Sequence, residues 1–293
     1  MNRMDFQIDE LPTSDDASDK RIGMQLVQLG RLLKSDIPAV EAVQRKKRLR
    51  FGEAAVKLGL VNRQDVDDAL ARQYDFPAPP AWAHGAEVVI ATPSSVGQPV
   101  AESIRTLRAQ LALQWMSQPQ VQFLAVVSAA RGEGRSFIAA NLAVAFAQLH
   151  ERTLLIDMDL RNARQHKIFH VDNRHGLSTL VSGRGTGTEI QRVVGYDSLG
   201  VLPSGPRAPH PQELLTSRSM SPVLEHVRQR YDVVIVDTPA FACGADAQIV
   251  SAQTRQVLLV SAPGGATRDE TERLVGACRQ VGASVAGAVV NSR

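Results

Sequence analysis

Short apolar runs alternate with helix-like segments over the C-terminal two thirds of the chain, and this alternation constrains the fold more than any other feature. The runs lie at 123–128, 153–156, 232–236, 257–261 and 285–290. Runs that are apolar on both faces and separated by helices are typical of a parallel sheet covered on both sides. We therefore predict an α/β fold in which ligands bind at the carboxyl ends of the strands.

A glycine-rich segment connects the first apolar run to a helical pattern. Residues 128–136 read Ser-Ala-Ala-Arg-Gly-Glu-Gly-Arg-Ser. Gly132 and Gly134 allow backbone amides to turn toward phosphate oxygens, and the helix that begins near Ser136 directs its positive end to the same place. The Ser136 hydroxyl is a candidate Mg²⁺ ligand. The segment is a near match to a P-loop, which predicts a P-loop NTPase-like sheet.

Two other apolar runs end in carboxylates. One run is followed by Asp157 and Asp159, and another by Asp237. In P-loop folds, acids at strand ends hold magnesium or orient a water or a hydroxyl group. Each acid alone could equally be a helix cap or a surface residue. The three motifs in the expected order favour a nucleotide site.

Residues 100–293, which contain these motifs, resemble the cytoplasmic kinase module of bacterial tyrosine kinases. Two further stretches support the resemblance: Glu-Ser-Ile-Arg-Thr-Leu-Arg at 102–108 and Pro-His-Pro-Gln-Glu-Leu-Leu at 209–215. Kinases of this family are deviant-Walker ATPases related to partition and division-site ATPases. They act with a membrane chain-length-determinant protein in exopolysaccharide or capsule assembly.

The resemblance implies a role for each matching residue. It implies that Asp157, Asp159 and Arg135 are catalytic, that Ser136 and Asp237 bind Mg²⁺, and that ATP or ADP contacts Gly132, Glu133, Gly134, Arg135, Ser136, Phe137 and, at the adenine, Asn291. It also implies ring-like self-association through Glu102, Arg105 and Arg108, so we expect a homo-oligomer. An ordinary charge pair on one helix face is the alternative for these three residues.

Two positions depart from the P-loop pattern, since Ala129 replaces the first glycine and Arg135 replaces the lysine. Arginine keeps the charge but is larger and planar. Lys167 is the only lysine after residue 86. One explanation is that the domain favours arginine over lysine throughout and that the site tolerates this change. The other is that the site binds nucleotide but transfers phosphate weakly, as a pseudokinase would. We favour retained binding with reduced or absent catalysis.

The target and the partner of such a kinase differ from the family pattern. Family members usually carry a tyrosine-rich tail, whereas the three tyrosines here are Tyr74, Tyr196 and Tyr231, so we expect any phosphorylated tyrosine to lie on a partner. No apolar stretch approaches the ~20 residues of a membrane span, and no secretory signal opens the chain. We expect a cytoplasmic protein that a membrane chain-length-determinant partner recruits to the inner membrane.

The net charge of +3 is a weak argument for nucleic-acid binding, and we expect no specific nucleic acid as a partner. A partition or positioning ATPase is a third interpretation. Such ATPases have an additional lysine early in the P-loop, where this chain has Ala129 and Ala130. Salt-sensitive binding to non-specific DNA would favour that class.

The N-terminal third is organised differently. We predict a disordered acidic tail at 1–20, a small helical domain at 21–76, a proline-rich linker at 77–99 and the kinase-like domain at 100–293. The small domain repeats Arg-x-Gly-x-x-x-Val-x-Leu-Gly with an offset of 29 residues, from 21–30 to 50–59. Such self-similarity predicts duplicated helical units, with Asn62 and Asp65 as a helix cap in the second copy.

This repeat resembles the N-terminal domain of type II secretion and pilus ATPases, a subset of which binds cyclic di-GMP. The resemblance implies a cyclic di-GMP site at Arg21, Gly23, Gly30, Arg50, Gly52 and Gly59. The arginines could stack on guanine or pair with phosphate, and the glycines would permit close approach. Packing of two helical pairs that dock a protein partner is the alternative.

Overall fold

The computed structural model describes residues 15–63, 65–66, 69–70, 88–91, 98–115 and 122–292. The chain divides into two compact units, residues 1–78 and 79–293. None of the helices in the described part of the chain is long and apolar enough to cross a membrane.

The small unit is helical and contains two copies of a helix–turn–helix pattern. Its helices are α1 (Asp15–Gln28), α2 (Ile37–Lys47) and α3 (Phe51–Lys57). Helical residues resume at 63. There the Asn62 backbone N–H donates to Asp65 Oδ2 at 2.9 Å, and the Asp65 N–H donates to Asn62 Oδ1 at 2.8 Å. This reciprocal cap confirms the predicted helix start in the second copy.

The beginning of the small unit differs from the sequence prediction. Helix α1 starts at Asp15, so the predicted tail at 1–20 was wrong for its last six residues; residues 1–14 lie outside the described part of the chain. The apolar positions of both copies share one core, which comprises Ile22, Leu26, Leu32, Val40, Phe51, Ala54, Ala55, Val61 and Ala69.

The larger unit is built on a seven-stranded sheet. Its strands are β1 (Gln122–Val127), β2 (Thr153–Asp157), β3 (Gln191–Val193), β4 (Tyr196–Leu202), β5 (Val233–Asp237), β6 (Gln256–Ser261) and β7 (Ser284–Val290). Their order is β3-β4-β2-β5-β1-β6-β7. All pairs are parallel except β3 with β4. The predicted mostly parallel sheet is therefore confirmed.

Helices cover the sheet. They are α4 (Pro99–Trp115), α5 (Arg135–Ala147), α6 (Gln165–Ile168), α7 (Leu177–Val181), α8 (Pro211–Leu215), α9 (Met220–Arg228), α10 (Asp246–Thr254) and α11 (Arg268–Gln280). Alternate residues of β1 enter two separate hydrophobic clusters, with Leu124 and Val126 in one and Phe123, Ala125 and Val127 in the other. The sheet therefore has an apolar core on each face.

Strands β3 and β4 were not predicted. β4 contains Asp197, Ser198 and Gly200, which are unfavourable in a strand by propensity. Its place is decided by neighbours, because a Cβ on Gly200 would lie 3.0 Å from Ile190 Cγ2 and 3.0 Å from the Tyr231 hydroxyl. Only glycine fits there without displacement of these side chains.

Part of the predicted linker belongs to the larger unit. Val88 and Ile90 are buried in its core. The Ile90 backbone N–H donates to Asn141 Oδ1 at 3.2 Å, and Gln148 Nε2 donates to the Ile90 carbonyl at 2.9 Å. The interpretation of 77–99 as a linker throughout was therefore wrong for 88–91, where α5 supplies both the apolar contacts and the polar partners.

Candidate nucleotide site

The glycine-rich loop lies between the end of β1 and the start of α5, as the sequence predicts. Gly132 and Gly134 have φ values of +80° and +97°. A Cβ on Gly134 would lie 2.1 Å from Asn291 Nδ2, whereas one on Gly132 would meet nothing within 4 Å. Asn291 follows β7 and donates from Nδ2 to the Glu133 carbonyl at 3.1 Å. The predicted adenine contact thus lies beside the loop and holds its backbone.

The Arg135 side chain is buried beneath the loop. Its Nε donates to the Thr238 carbonyl at 2.8 Å, and its Nη1 donates to the Ala130 carbonyl at 2.9 Å and to the Ser128 hydroxyl. The guanidinium therefore links the loop to the end of β5. A lysine ammonium could not make this set of contacts, because it lacks the planar, forked arrangement of donors.

The Glu133 side chain stabilises the loop through bonds to two backbone amides. Its side chain is buried, with 1% of its surface exposed. Oε2 accepts a hydrogen bond from the Ala130 backbone N–H at 2.7 Å, and Oε1 accepts one from the Ala266 N–H at 3.1 Å. The carboxylate joins the loop to the segment before α11. What Glu133 can offer a phosphate is its backbone amide.

Phe137 lies in the hydrophobic core and forms part of the wall of a cavity of about 130 Å³. The cavity is bounded by α4, the first turn of α5 and the end of β7, and Asn291 also lines it. The structure thus places two of the predicted nucleotide-contacting residues at one cavity beside the loop.

Asp157 is the last residue of β2 and Asp159 follows the strand; backbone amides donate to both carboxylates. Asp157 is fully buried. Its Oδ1 accepts from the Asp159 N–H at 3.1 Å, and its Oδ2 accepts from the N–H groups of Arg164 and Gln165, each at 3.0 Å. Burial, followed by the nearby charge of Asp237, raises the pKa of Asp157 well above its ordinary value.

Asp159 caps the next turn, since its Oδ1 accepts from the N–H groups of Arg161 at 3.1 Å and Asn162 at 2.8 Å. It retains 6% exposure. The roles observed for the two acids are therefore local and structural. Their part in aligning a phosphoryl acceptor stays a prediction.

Asp237 lies at the end of β5, opposite Asp157 in the parallel register. Its Oδ2 accepts from Gln165 Nε2 at 2.7 Å, while its buried Oδ1 has no hydrogen-bond partner among the described residues. Burial raises the pKa of Asp237 to about 6, although the nearby Ser136 hydroxyl and the Gln165 amide bonded to Oδ2 oppose the rise. Two adjacent buried carboxylates and one unpaired oxygen fit a bound cation.

The donor set fits Mg²⁺ in particular. Ser136 and Asp237 offer oxygen atoms, which this ion prefers. The described residues contain no group of three or more His, Cys, Asp or Glu side chains that could hold a metal. An ion bound here would therefore complete its coordination with phosphate oxygens and water, as Mg²⁺ commonly does.

Two contacts near the site were missed by sequence reasoning. Arg161 forms a two-point ion pair with the buried Asp246, through Nε–Oδ1 at 3.1 Å and Nη2–Oδ2 at 3.2 Å. Gln212 Nε2 donates to the same carboxylate at 2.9 Å. These bonds connect the end of β2 with α10 and α8. Asp246 follows no motif, so nothing in the sequence marks it as the partner.

The three residues predicted to mediate self-association all lie on α4, where they have different contacts. Arg105 pairs with Glu102 on the exposed side of α4. Arg108 instead donates from Nη1 to the Ala145 carbonyl of α5 at 3.1 Å. Burial, followed by the charge of Arg105, lowers the pKa of Arg108. Arg108 therefore contacts its own chain, and self-association through the three residues stays a prediction.

The repeated glycines of the small unit all have roles within the fold. Gly30 and Gly59 end α1 and α3 with φ values of +68° and +69°, a common C-terminal cap. A Cβ on Gly23 would lie 3.0 Å from the Phe51 ring, and one on Gly52 would lie 2.5 Å from Val66 Cγ1. These contacts explain the glycines without a ligand.

The repeated arginines are less constrained by the structure. Arg50 is exposed and directly precedes α3. Arg21 lies in α1, but its side chain is outside the described part of the chain.

Comparisons with known proteins agree with this geometry. The ParA family model, described as NUBPL iron-transfer P-loop NTPase, matches residues 120–293. Tyrosine-protein kinase YwqD of Bacillus subtilis is 33% identical over 192 residues, which cover 66% of this chain and 81% of YwqD. Tyrosine-protein kinase wzc of Salmonella typhi is 32% identical over 201 residues, which cover 68% of this chain and 28% of wzc. The chain thus spans under a third of this longer relative.

The solved structure of the chimerical protein CapA2B2 is also similar. It superposes with a TM-score of 0.65 at 31% identity, and the match covers 78% of this chain and 99% of that protein.

Proposed function

Because the chain belongs to the bacterial tyrosine-protein kinases of the ParA-like P-loop NTPase family, we propose that its larger unit binds ATP or ADP with Mg²⁺ at the glycine-rich loop. The observation that supports this most directly is Asp237 Oδ1, a buried carboxylate oxygen without a hydrogen-bond partner among the described residues. A folded chain rarely leaves such an atom unpaired unless a ligand or ion completes it.

The residues around the loop would have different roles in nucleotide binding. Backbone amides between Gly132 and Ser136 and the start of the 13-residue helix α5 attract phosphate oxygens. Ser136 and Asp237 would hold the magnesium ion, which when bound neutralises charge on the phosphates. Asn291 holds the loop from the β7 side through its bond to the Glu133 carbonyl.

We further propose that phosphoryl transfer is weak. Catalysis requires cationic groups placed where negative charge develops on the transferred phosphoryl group. The Arg135 guanidinium is instead bonded to two backbone carbonyls and one hydroxyl beneath the loop. Breaking these bonds to engage the phosphates costs free energy, since each bond from a charged donor contributes about 1.5–3 kcal/mol.

Arg135→Lys tests this proposal. We expect the variant to bind ADP within about threefold of the natural protein and to hydrolyse ATP or phosphorylate a partner at least about tenfold faster. Arg131→Lys is the matched control in the same loop, because Arg131 is exposed and contacts Cys243; it should change neither quantity. If the natural protein is as fast as Arg135→Lys, the weak-transfer proposal fails.

The cellular role we propose follows from the family resemblance. The chain would act at the inner face of the membrane with a chain-length-determinant partner and regulate exopolysaccharide length or export as a homo-oligomer. Deletion of its gene should alter the length distribution of the polysaccharide, and the natural protein, unlike Asp237→Asn, should restore it. An unchanged distribution in the deletion strain would contradict this role.

For the small unit we propose an interaction module whose ligand is either cyclic di-GMP or a protein partner. The four repeated glycines favour neither ligand, since all of them serve helix ends or helix contacts. Arg50 is exposed, as a contact with an anion requires. Calorimetry of the full chain with cyclic di-GMP distinguishes the two ligands. Arg50→Ala is the test variant, and the nearby Arg48→Ala is its matched control. No binding at tens of micromolar excludes the nucleotide.

A further inference from the structure

Gln165 is a fully buried side chain that no motif identifies. It opens α6, after the turn that follows β2. Its Nε2 donates to Asp237 Oδ2 at 2.7 Å and to the Ser136 carbonyl at 3.2 Å. Both partners are acceptors, so the amide nitrogen must face them and the amide oxygen must point away.

The backbone of the same residue adds a third connection. The Gln165 N–H donates to Asp157 Oδ2 at 3.0 Å. One residue therefore contacts the acid at the end of β2, the acid at the end of β5 and the first turn of α5. A residue that bonds three separate elements through its side chain and its backbone fixes their relative positions at this edge of the sheet.

Two buried oxygens at this place lack hydrogen-bond partners among the described residues. They are Gln165 Oε1 and Asp237 Oδ1. Each unpaired buried oxygen costs about 1–3 kcal/mol, so two on neighbouring, directly bonded side chains indicate a site that is completed by something else. Because the Gln165 amide occupies Asp237 Oδ2, the oxygen left available on Asp237 is Oδ1.

We infer that Gln165 is a positioning residue for the magnesium ion of the nucleotide site. It holds Asp237 through Oδ2 so that Oδ1 is presented to the ion, and its own Oε1 accepts a hydrogen bond from water in the coordination shell. This inference rests on the proposed nucleotide binding and specifies which side chain orients the acidic ligand. Residues that orient a metal ligand typically change metal affinity 10–100-fold when replaced.

Gln165→Met in the full chain tests the inference, because methionine is similar in size and makes no comparable hydrogen bonds. The measurement is calorimetric ADP affinity with Mg²⁺ and with EDTA. A second readout, Mn²⁺ affinity of the ADP-bound protein, comes from electron paramagnetic resonance. We expect the gain in ADP affinity from Mg²⁺ and the Mn²⁺ affinity to fall about 10-fold or more, with the EDTA value within about twofold of the natural protein.

Gln148→Met is the matched control. Gln148 is also a buried glutamine, and its Nε2 donates to the Ile90 carbonyl. Its Oε1 likewise has no hydrogen-bond partner within the part of the chain that the structure describes. This variant should leave the effect of Mg²⁺ unchanged. If Gln165→Met does not fold, Gln165→Asn removes the same contacts by shortening the side chain and should show the same loss.

Equal losses of ADP affinity with Mg²⁺ and with EDTA would overturn the inference in favour of a general structural role, and so would an unchanged Mg²⁺ effect. Failure of the natural protein to bind ADP under either condition would overturn the proposed function instead. The two failures are therefore distinguishable.

Discussion

The small unit and the larger unit both contain glycines that sequence motifs single out, and the structure uses them differently. In the small unit, Gly52 packs against Val66 and Gly59 ends a helix, so the repeat is explained by the fold alone. In the larger unit, Gly134 permits close approach of Asn291, and Gly132 faces open space. Near the loop, two buried oxygens on directly bonded side chains lack hydrogen-bond partners among the described residues. Such a pair beside the motif residues, which the small unit does not show in its described part, distinguishes a binding site from a folding pattern.

Among the variants that test this comparison, Gly134→Ala should have the largest effect, on ADP affinity. A Cβ would collide with Asn291 Nδ2 and would force a side chain into a backbone with φ of +97°. We expect ADP affinity to fall about 100-fold, from strain and displacement of the loop together. Calorimetry measures it, and Gly132→Ala is the control with positive φ but open space, for which we expect a loss of about fivefold. Equal losses would refute the role of the Asn291 contact.

Asp237→Asn should have an intermediate effect, on stability rather than on binding alone. The folded-state pKa of Asp237 is raised to about 6 from its ordinary value of 3.8, so ionisation opposes folding above about pH 4 and fully so above the folded pKa. Without nucleotide, the variant should be more stable than the natural protein at pH 7.5 by about 2–3 kcal/mol. Below about pH 4 the advantage should vanish, because the carboxyl is protonated in both states.

Urea unfolding at pH 7.5 and pH 3.5 checks this expectation. Mg²⁺ and ADP should then stabilise the natural protein but not Asp237→Asn, since the variant lacks the carboxylate ligand. A variant that is less stable at both pH values would contradict the expectation that the ionised Asp237 carboxylate destabilises the fold when no cation is bound.

Gly52→Ala should have the smallest effect and should be confined to the small unit. The added Cβ would lie 2.5 Å from Val66 Cγ1, and the cost of overpacking is partly offset by the better helix propensity of alanine. We expect a net loss of about 1 kcal/mol, seen as faster hydrogen exchange in α1 and α3. Gly276→Ala in α11, where a Cβ meets nothing within 4 Å, should be neutral or stabilising. Unchanged exchange in Gly52→Ala would leave the repeated glycine without its structural explanation.

The sequence alone determined the features that depend on local pattern. Apolar runs located β1, β2, β5, β6 and β7, because a buried parallel strand reads as a continuous apolar stretch. The loop with Gly132 and Gly134 and the acid Asp237 followed from their places after strands. The cap formed by Asn62 and Asp65 followed from their spacing of three residues.

Tertiary structure decided the features whose partners lie far apart in the chain. β4 is a central strand because β2 and β3 pair with it, although its own residues favour a strand weakly. Arg108 of α4 bonds the Ala145 carbonyl of α5, 37 positions away. Residues 88–91 belong to the larger unit rather than to a linker because α5 and its C-terminal end supply the hydrogen bonds of Ile90.

The same limit applies to the site. Gln165 and Asp237 are 72 positions apart, and Glu133 and Ala266 are 133 positions apart. A sequence pattern shows that a glutamine or a glutamate is present, but hydrogen-bond partners and desolvation are set by which strands and loops become neighbours. The sequence determined that a phosphate loop and its acids would meet at one edge of a sheet. Which oxygens are bonded there, and which are left for an ion, depended on the packing of distant segments.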